Sequence, residues 1–167
     1  SPYYLYAQAE INLQWALIRG RFGEQFNAAM EIKKANAYLQ DNAKKFPSFQ
    51  LNSKGLGLIN AALGSLPDGL MKSTLSTFGI KGNVKTGLAM MQRLAAGLPA
   101  SSFEPFYEEV VFYYAFVLTD VTHSENAYAE TTKYVSRISD ASLLKSYLKA
   151  YVCAKRGHNE EAITMLN

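Results

Sequence analysis

The stretch AYVCAKRGHNEEAI, residues 150–163, holds the pattern of two short helices joined by a tight turn. A glycine readily takes the left-handed backbone conformation that commonly ends a helix, and Gly157 is placed to end the first. Asn159, which two glutamates follow, is typical of a helix start, because asparagine caps free backbone N–H groups and carboxylates favour the positive end of the helix dipole. The stretch therefore predicts an antiparallel helical hairpin.

Outward from this stretch, apolar residues recur at spacings of three and four, which is the signature of amphipathic helices. No segment alternates apolar and polar residues over the length of a strand. We therefore expect an all-α fold of about eight or nine helices, arranged as antiparallel hairpins in a single helical-repeat domain. Its segments are residues 1–47 (a first hairpin), 53–98 (glycine-rich central helices), 104–138 (a hairpin) and 140–167 (a last, truncated hairpin). Because helical patterns run up to both ends, we expect the chain to be a piece of a longer protein.

The first hairpin has one apolar face on each of its helices, and such faces normally turn toward a core. Gly20 and Gly23 separate the two helices, and Pro47 ends the second, since proline cannot extend a helix. The apolar face of the first helix comprises Tyr4, Ala7, Ile11, Trp15 and Ile18. That of the second comprises Ala28, Ile32, Ala35, Leu39, Ala43 and Phe46.

The central helices are rich in glycine, which destabilises a helix interior by roughly 1 kcal/mol relative to alanine. Gly57, Ala61 and Gly64 form one small-residue stripe, and we expect another helix to pack closely against it. Asn83 is placed to cap the next helix, whose stripe of apolar residues follows it.

Composition and charge exclude several classes of protein. Apolar residues make up 49% of the 167 residues and the net charge is only +3, so the chain is expected to fold. Two lysine pairs, at 33–34 and 44–45, lie close to acidic residues that dilute their field, and we expect no nucleic-acid partner.

The longest apolar run, residues 110–118, is far short of the roughly 20 residues of a membrane-spanning helix. It predicts a buried central helix over 106–121 and no transmembrane segment.

Residues with reactive side chains are few and scattered. The chain has one cysteine, Cys153, and two histidines, His123 and His158, which fall in predicted loops far apart in sequence. A zinc site needs three or four converging ligands, and a catalytic thiol needs a basic neighbour that lowers its pKa. We therefore expect no catalytic residue, no metal and no cofactor, and we interpret Cys153 as a small buried hydrophobe.

The last hairpin resembles a tetratricopeptide repeat, in which a small residue on the first helix meets an alanine that lies five positions after a glycine on the second. Ala150, Gly157 and Ala162 occupy these positions. The resemblance implies hairpins stacked as a tetratricopeptide-like superhelix, with the first helix of each hairpin lining a concave face.

The central segment is similar to a tetratricopeptide family whose yeast members act in inclusion-body clearance and associate with mitochondria or lipid droplets. The residues that carry this resemblance indicate how the backbone turns and packs and do not indicate a chemical activity. The resemblance therefore implies the architecture alone. They include Gly57, Asn60, Pro67, Gly79, Gly82 and Gly87.

Eleven tyrosines are the feature that bears most on function, because tyrosine is enriched at protein interfaces. The candidate partner-binding residues are Tyr113, Tyr114, Tyr147 and Tyr151, and for each of them a place in the core is the stronger interpretation. The repeat spacing and the lack of a catalytic constellation lead to the hypothesis of a non-enzymatic scaffold that binds a protein or peptide, with these tyrosines as its candidate groove.

Two alternatives stay open beside the scaffold. One is a carrier of a lipid or other apolar ligand in a pocket formed by Met71, Met90 and Met91, or an adaptor that lies on a membrane surface. The other concerns the end of the chain, where an exposed apolar helix over 163–166 provides a surface for self-association.

Overall fold

The computed structural model shows an all-α chain, as the sequence predicts. It describes residues 1–155, 157 and 159–166, and of Glu161, Met165 and Leu166 only the backbone. Within these residues it contains nine α-helices and no strand. The helices are α1 (Pro2–Arg21), α2 (Gln25–Lys45), α3 (Asn52–Ser65), α4 (Leu70–Thr77), α5 (Val84–Gly97), α6 (Tyr107–Phe116), α7 (Ala127–Val135), α8 (Leu143–Lys155) and α9 (Asn159–Leu166).

The contacts divide the chain into two compact units. We call Ser1–Met90 the N-terminal unit and Met91–Asn167 the C-terminal unit. Each has its own buried apolar residues. The single repeat domain and the superhelical stacking stay predictions.

Helices α1 and α2 form an antiparallel hairpin in the N-terminal unit. The side-chain amide of Asn42, near the end of α2, donates a 2.9 Å hydrogen bond to the carbonyl oxygen of Pro2, at the start of α1. None of the residues predicted to form the inner face of α2 is exposed, which confirms that prediction.

The predicted inner face of α1 is wrong. The residues that pack into the unit are Tyr6, Ala9, Leu13 and Ala16. The apolar set expected there, Tyr4, Ala7, Ile11, Trp15 and Ile18, is exposed on the other side of the helix. The helix packs through small side chains, since both Ala9 on α1 and Ala28 on α2 are completely buried. The larger apolar side chains therefore remain on the face turned to solvent.

A buried ion pair links α3 to α1. The Nζ atom of Lys54 lies 2.8 Å from Oε2 of Glu10 and 5.1 Å from the ring centroid of Tyr6, although the lysine side chain is only 1% exposed. A buried charge without a partner is strongly unfavourable, so this pair fixes which side of α3 faces α1.

Backbone contact between α3 and the start of α5 explains the glycines of the central segment. A Cβ atom placed on Gly82 would lie 2.4 Å from Cβ of Leu63 and 2.5 Å from the carbonyl oxygen of Asn60. One placed on Gly87 would lie 2.5 Å from the backbone nitrogen of Ala61 and 2.6 Å from the carbonyl oxygen of Gly57. These separations are too short for any Cβ, so the close approach predicted for the small-residue stripe is confirmed.

The turns around these helices also follow the sequence. Pro67 comes just after the end of α3, and Gly79 follows α4 with φ +73°, a conformation that side chains with a Cβ rarely adopt. The side chain of Asn83 accepts a 2.9 Å hydrogen bond from the backbone N–H of Thr86, which confirms the predicted cap of α5.

In the C-terminal unit, α6 and α7 form an antiparallel hairpin. The hydroxyl of Tyr107, at the start of α6, donates a 2.8 Å hydrogen bond to the carbonyl oxygen of Tyr134, near the end of α7. A π-helical turn, Val117–Val121, continues α6. No residue from 106 to 121 is exposed, which confirms the predicted buried central helix.

Helices α8 and α9 pack through the small residues that carry the repeat resemblance. Ala150 and Ala162 belong to one buried cluster with Cys153, which is fully buried as expected. Between the helices Gly157 has φ +79°, in agreement with its predicted role in ending α8.

Replacing Gly82 by alanine tests the backbone contact. Because the new Cβ would overlap backbone and Cβ atoms of α3, we expect Gly82→Ala to lower the free energy of unfolding by about 1–3 kcal/mol in urea titrations followed by circular dichroism. Gly69→Ala is the matched control, since a Cβ there has no neighbour within 4 Å and its φ of 175° suits any residue. Equal stabilities of the two variants would contradict the contact.

Candidate functional site

The four candidate tyrosines separate into one core residue and three surface residues. Tyr114 is only 3% exposed, and its ring lies edge-on to that of Tyr134 at a centroid distance of 5.6 Å. Burial raises the pKa of the Tyr114 hydroxyl well above its usual range. Tyr114 therefore stabilises the interior of the C-terminal unit, and we exclude it from the candidate site.

The other three tyrosines lie together with a phenylalanine on the surface of α6 and α8. The rings of Tyr147 and Tyr151, one turn apart on α8, stack at 5.8 Å with an interplanar angle of 12°. Phe112 of α6 lies 6.5 Å from Tyr147 across the two helices and 5.8 Å from Tyr113, edge-on. Tyr147 is 47% exposed and the other three are half-buried. We call Phe112, Tyr113, Tyr147 and Tyr151 the aromatic surface.

Polar contacts hold α8 beside α6 near both ends of the aromatic surface. At one end the hydroxyl of Ser142 donates a 2.9 Å hydrogen bond to Glu108. At the other end, the carboxylate of Asp120 accepts a hydrogen bond from the hydroxyl of Tyr151. The same carboxylate forms an ion pair with Lys155, whose Nζ atom lies 2.5 Å from Oδ1 of Asp120. The rings are thus set on two helices whose relative position is fixed by side-chain contacts.

Lys145 anchors the start of α8 to the end of α7. Its Nζ atom donates to the carbonyl oxygen of Ile138 at 2.6 Å and to Asp140 at 2.8 Å, and the residue is buried. The ammonium of Lys145 lowers the pKa of the Asp140 carboxyl through the hydrogen bond and its charge. A cation at this position satisfies carbonyl groups that the end of a helix leaves without partners.

Two residues of this region were missed in the sequence. Leu143 is 88% exposed on α8, four positions before Tyr147, and therefore continues the row formed by Tyr147 and Tyr151. Phe112 lies inside a continuous apolar run, in which no helical period distinguishes one face from another. The spacing of four on α8 was a signal that could have identified Leu143; nothing comparable marked Phe112.

The described residues hold no cluster that could bind a metal ion. No group of three or more His, Cys, Asp or Glu side chains comes together in this part of the chain. His123 lies in the loop before α7 with φ 49°, and His158 lies outside the described residues.

A cavity of about 240 Å³ lies in the N-terminal unit, beside the glycine contact. Its lining residues are Leu63, Gly64, Lys72, Ser76, Ile80, Lys81 and Gly82. The carrier alternative placed Met71, Met90 and Met91 around a pocket, but this cavity is lined by two lysines and by none of these methionines. An ammonium group is a poor wall for an apolar ligand, so the cavity does not favour a lipid carrier.

Most of the paired lysines are engaged within the chain. Lys34 lies 3.3 Å from Glu31 and Lys45 lies 2.7 Å from Asp41, while the Nζ atom of Lys33 lies over the ring of Phe78. In the C-terminal unit, Ile163 of α9 is exposed, and the side chains of Met165 and Leu166 lie outside the described residues. None of the helices in the described part of the chain has the length and apolar character needed to cross a membrane.

Comparison with models of protein families, with curated proteins and with solved structures found no match for this chain. The resemblance to tetratricopeptide repeats stays a prediction. What the molecule does is therefore inferred from the chemistry of its own surfaces.

Separate alanine substitutions distinguish the core tyrosine from those of the aromatic surface. Tyr114→Ala would leave a large cavity, and we expect the free energy of unfolding to fall by about 3–5 kcal/mol in urea. Tyr147→Ala removes an exposed ring that stacks on one neighbour, so we expect a loss below about 1.5 kcal/mol. A similar loss for both variants would place Tyr147 in the core as well.

Proposed function

We propose that the chain is a non-enzymatic scaffold of tetratricopeptide type, which binds an extended segment of another protein on its aromatic surface. The observation that carries this proposal is the group of neighbouring, partly exposed rings contributed by two neighbouring helices. Tyrosine and phenylalanine are enriched at protein interfaces because they bury a large area while few rotatable bonds become fixed.

The place of these helices in the chain supports the proposal. α6 and α8 are the first helices of the two hairpins predicted for residues 104–138 and 140–167, and they contact each other directly. In stacked helical repeats, neighbouring first helices line the concave face to which partners bind. The aromatic surface lies on α6 and α8, so stacking of this kind would place it on the concave face.

The surroundings of the rings indicate the chemistry of the partner. The centre is apolar and aromatic, whereas Glu108 lies toward one end and the Asp120–Lys155 pair toward the other. Leu143 adds an exposed apolar group at the start of α8. This pattern, an apolar centre with a polar rim, fits a segment that places one or two apolar side chains on the rings and polar groups beside them.

Panning a phage-displayed library of random peptides against the full chain tests this function. We expect enriched peptides to share apolar anchors, and Tyr147→Ala to weaken the binding of a synthesised peptide by about 10-fold or more, as for a central aromatic contact. Isothermal titration calorimetry measures the dissociation constants.

Tyr128→Ala provides the control for this experiment. Tyr128 is also an exposed tyrosine of the C-terminal unit, but it lies on α7, outside the aromatic surface. We expect this variant to bind the selected peptides as the wild type does. Absence of enriched peptides, or equal weakening by both substitutions, would contradict the proposal.

A further inference from the structure

The exposed face of α1 has the spacing of a helix-pairing seam. Large apolar side chains lie at positions 4, 11, 15, 18 and 22. Together with position 8, these positions form a series in which steps of four and three residues alternate. This 3.5-residue period is that of the a and d positions through which two helices pair. We call Tyr4, Ile11, Trp15, Ile18 and Phe22 the apolar stripe.

The apolar stripe is accessible along its full length. Its members are about half exposed or more, from 48% at Ile18 to 78% at Phe22. The residues that α1 buries within its own unit, among them Tyr6 and Leu13, lie on the opposite side of the helix. Phe22 continues the last turn of α1, because its backbone N–H bonds to the carbonyl oxygen of Ile18 at 3.1 Å.

We propose that two copies of this chain associate through their apolar stripes, with the two α1 helices antiparallel. In that arrangement Tyr4 of one copy faces Phe22 of the other and Ile11 faces Trp15. The remaining layer pairs Ile18 with Gln8, a half-buried polar residue at the one seam position without a large apolar group. The stripe is therefore complementary to itself about a two-fold axis, as a symmetric dimer interface requires.

The charges beside the stripe favour the antiparallel arrangement. Arg19 and Arg21 flank the stripe at one end, and parallel helices would bring both arginines of each copy together there. In antiparallel helices, the arginines of the two copies lie at opposite ends of the interface. Arg19 is in addition neutralised within its own copy by Glu24, whose carboxylate lies 2.6 Å away. The hydrogen bonds from Asn27 and Arg19 lower the pKa of Glu24, so this carboxylate stays charged near neutral pH.

The available area agrees with a dimer of moderate affinity. An aromatic side chain buries about 150–250 Å², so three half-exposed aromatic residues and two isoleucines offer on the order of 500 Å² per copy. Specific interfaces begin near 600 Å² per partner, a value that the flanking Ala7 and Gln14, both exposed, help to reach. Apolar surface patches of this size are often functional.

Analytical ultracentrifugation of the full chain, at concentrations up to about 100 µM, tests this proposal in the micromolar range expected for a small interface. We expect a reversible dimer, and a blue shift of tryptophan emission as it forms, because Trp15 is the chain's single tryptophan. The double change Ile11→Glu with Trp15→Glu should weaken the dimer by about 100-fold or more, since both positions lie at its centre. A wild-type chain that stays monomeric overturns the proposal. This holds also if the stripe then proves to bind a different protein.

Leu17→Glu is the matched control, because Leu17 is also exposed on α1 but lies off the stripe. It should leave the dimer intact, and a dimer that withstands the double change but not Leu17→Glu would overturn the assignment.

Cysteine cross-linking provides a readout that does not depend on the folding of the glutamate variants. A mixture of Tyr4→Cys and Phe22→Cys chains should form the mixed disulfide under mild oxidation, whereas Tyr4→Cys alone should not cross-link. The native Cys153 is buried and does not compete. Efficient cross-linking of Tyr4→Cys to itself would instead show parallel helices and contradict the proposed arrangement.

Discussion

The close contact between the backbones of α3 and the start of α5 is the constraint on which the N-terminal unit depends. Gly82 and Gly87 lie against α3 at distances that leave no room for a Cβ atom. Glycines within helices such as α3 reduce helix stability by roughly 1 kcal/mol each, and tight packing offsets that loss. Helix α3 also carries Lys54, whose pairing with Glu10 determines the side that it presents to α1. One contact between glycines and backbone thus sets the position of a helix that packs against both α1 and α2.

Helix existence and helix ends were predictable because both depend on local chemistry. Apolar period, the left-handed φ of Gly79 and Gly157, and the side-chain cap at Asn83 act within a few residues of where they occur. The inner face of α1 was not predictable in the same way, because the helix has two apolar faces. The face with alanines packs inside and the face with large residues remains outside, a choice that rests on how closely α2 approaches. A period in sequence reveals an apolar face but not what it contacts.

The candidate site was predicted in part for a similar reason. Tyr147 and Tyr151, four residues apart, must lie on one face of α8, and the structure places them in one stack. Tyr113 and Tyr114 are adjacent and point about 100° apart, so they face different surroundings. Which of them faces the core depends on the packing of Tyr114 against Tyr134 of α7, a contact between distant residues. The contribution of Phe112 likewise arises only when α6 and α8 are side by side.

The two surfaces have different chemistry, and this difference separates their roles. The aromatic surface combines rings with hydroxyl groups and charged neighbours. This combination suits a partner that associates and dissociates, because the surface can also be hydrated when the partner is absent. The apolar stripe has no acidic group among its own members and repeats with the period of a paired helix, which suits a contact between identical helices. A dimer formed through the stripe would carry two aromatic surfaces, and a partner with two binding segments would be held more tightly than one with a single segment. Dimer formation would then determine the apparent affinity of the scaffold without altering any contact in the aromatic surface itself.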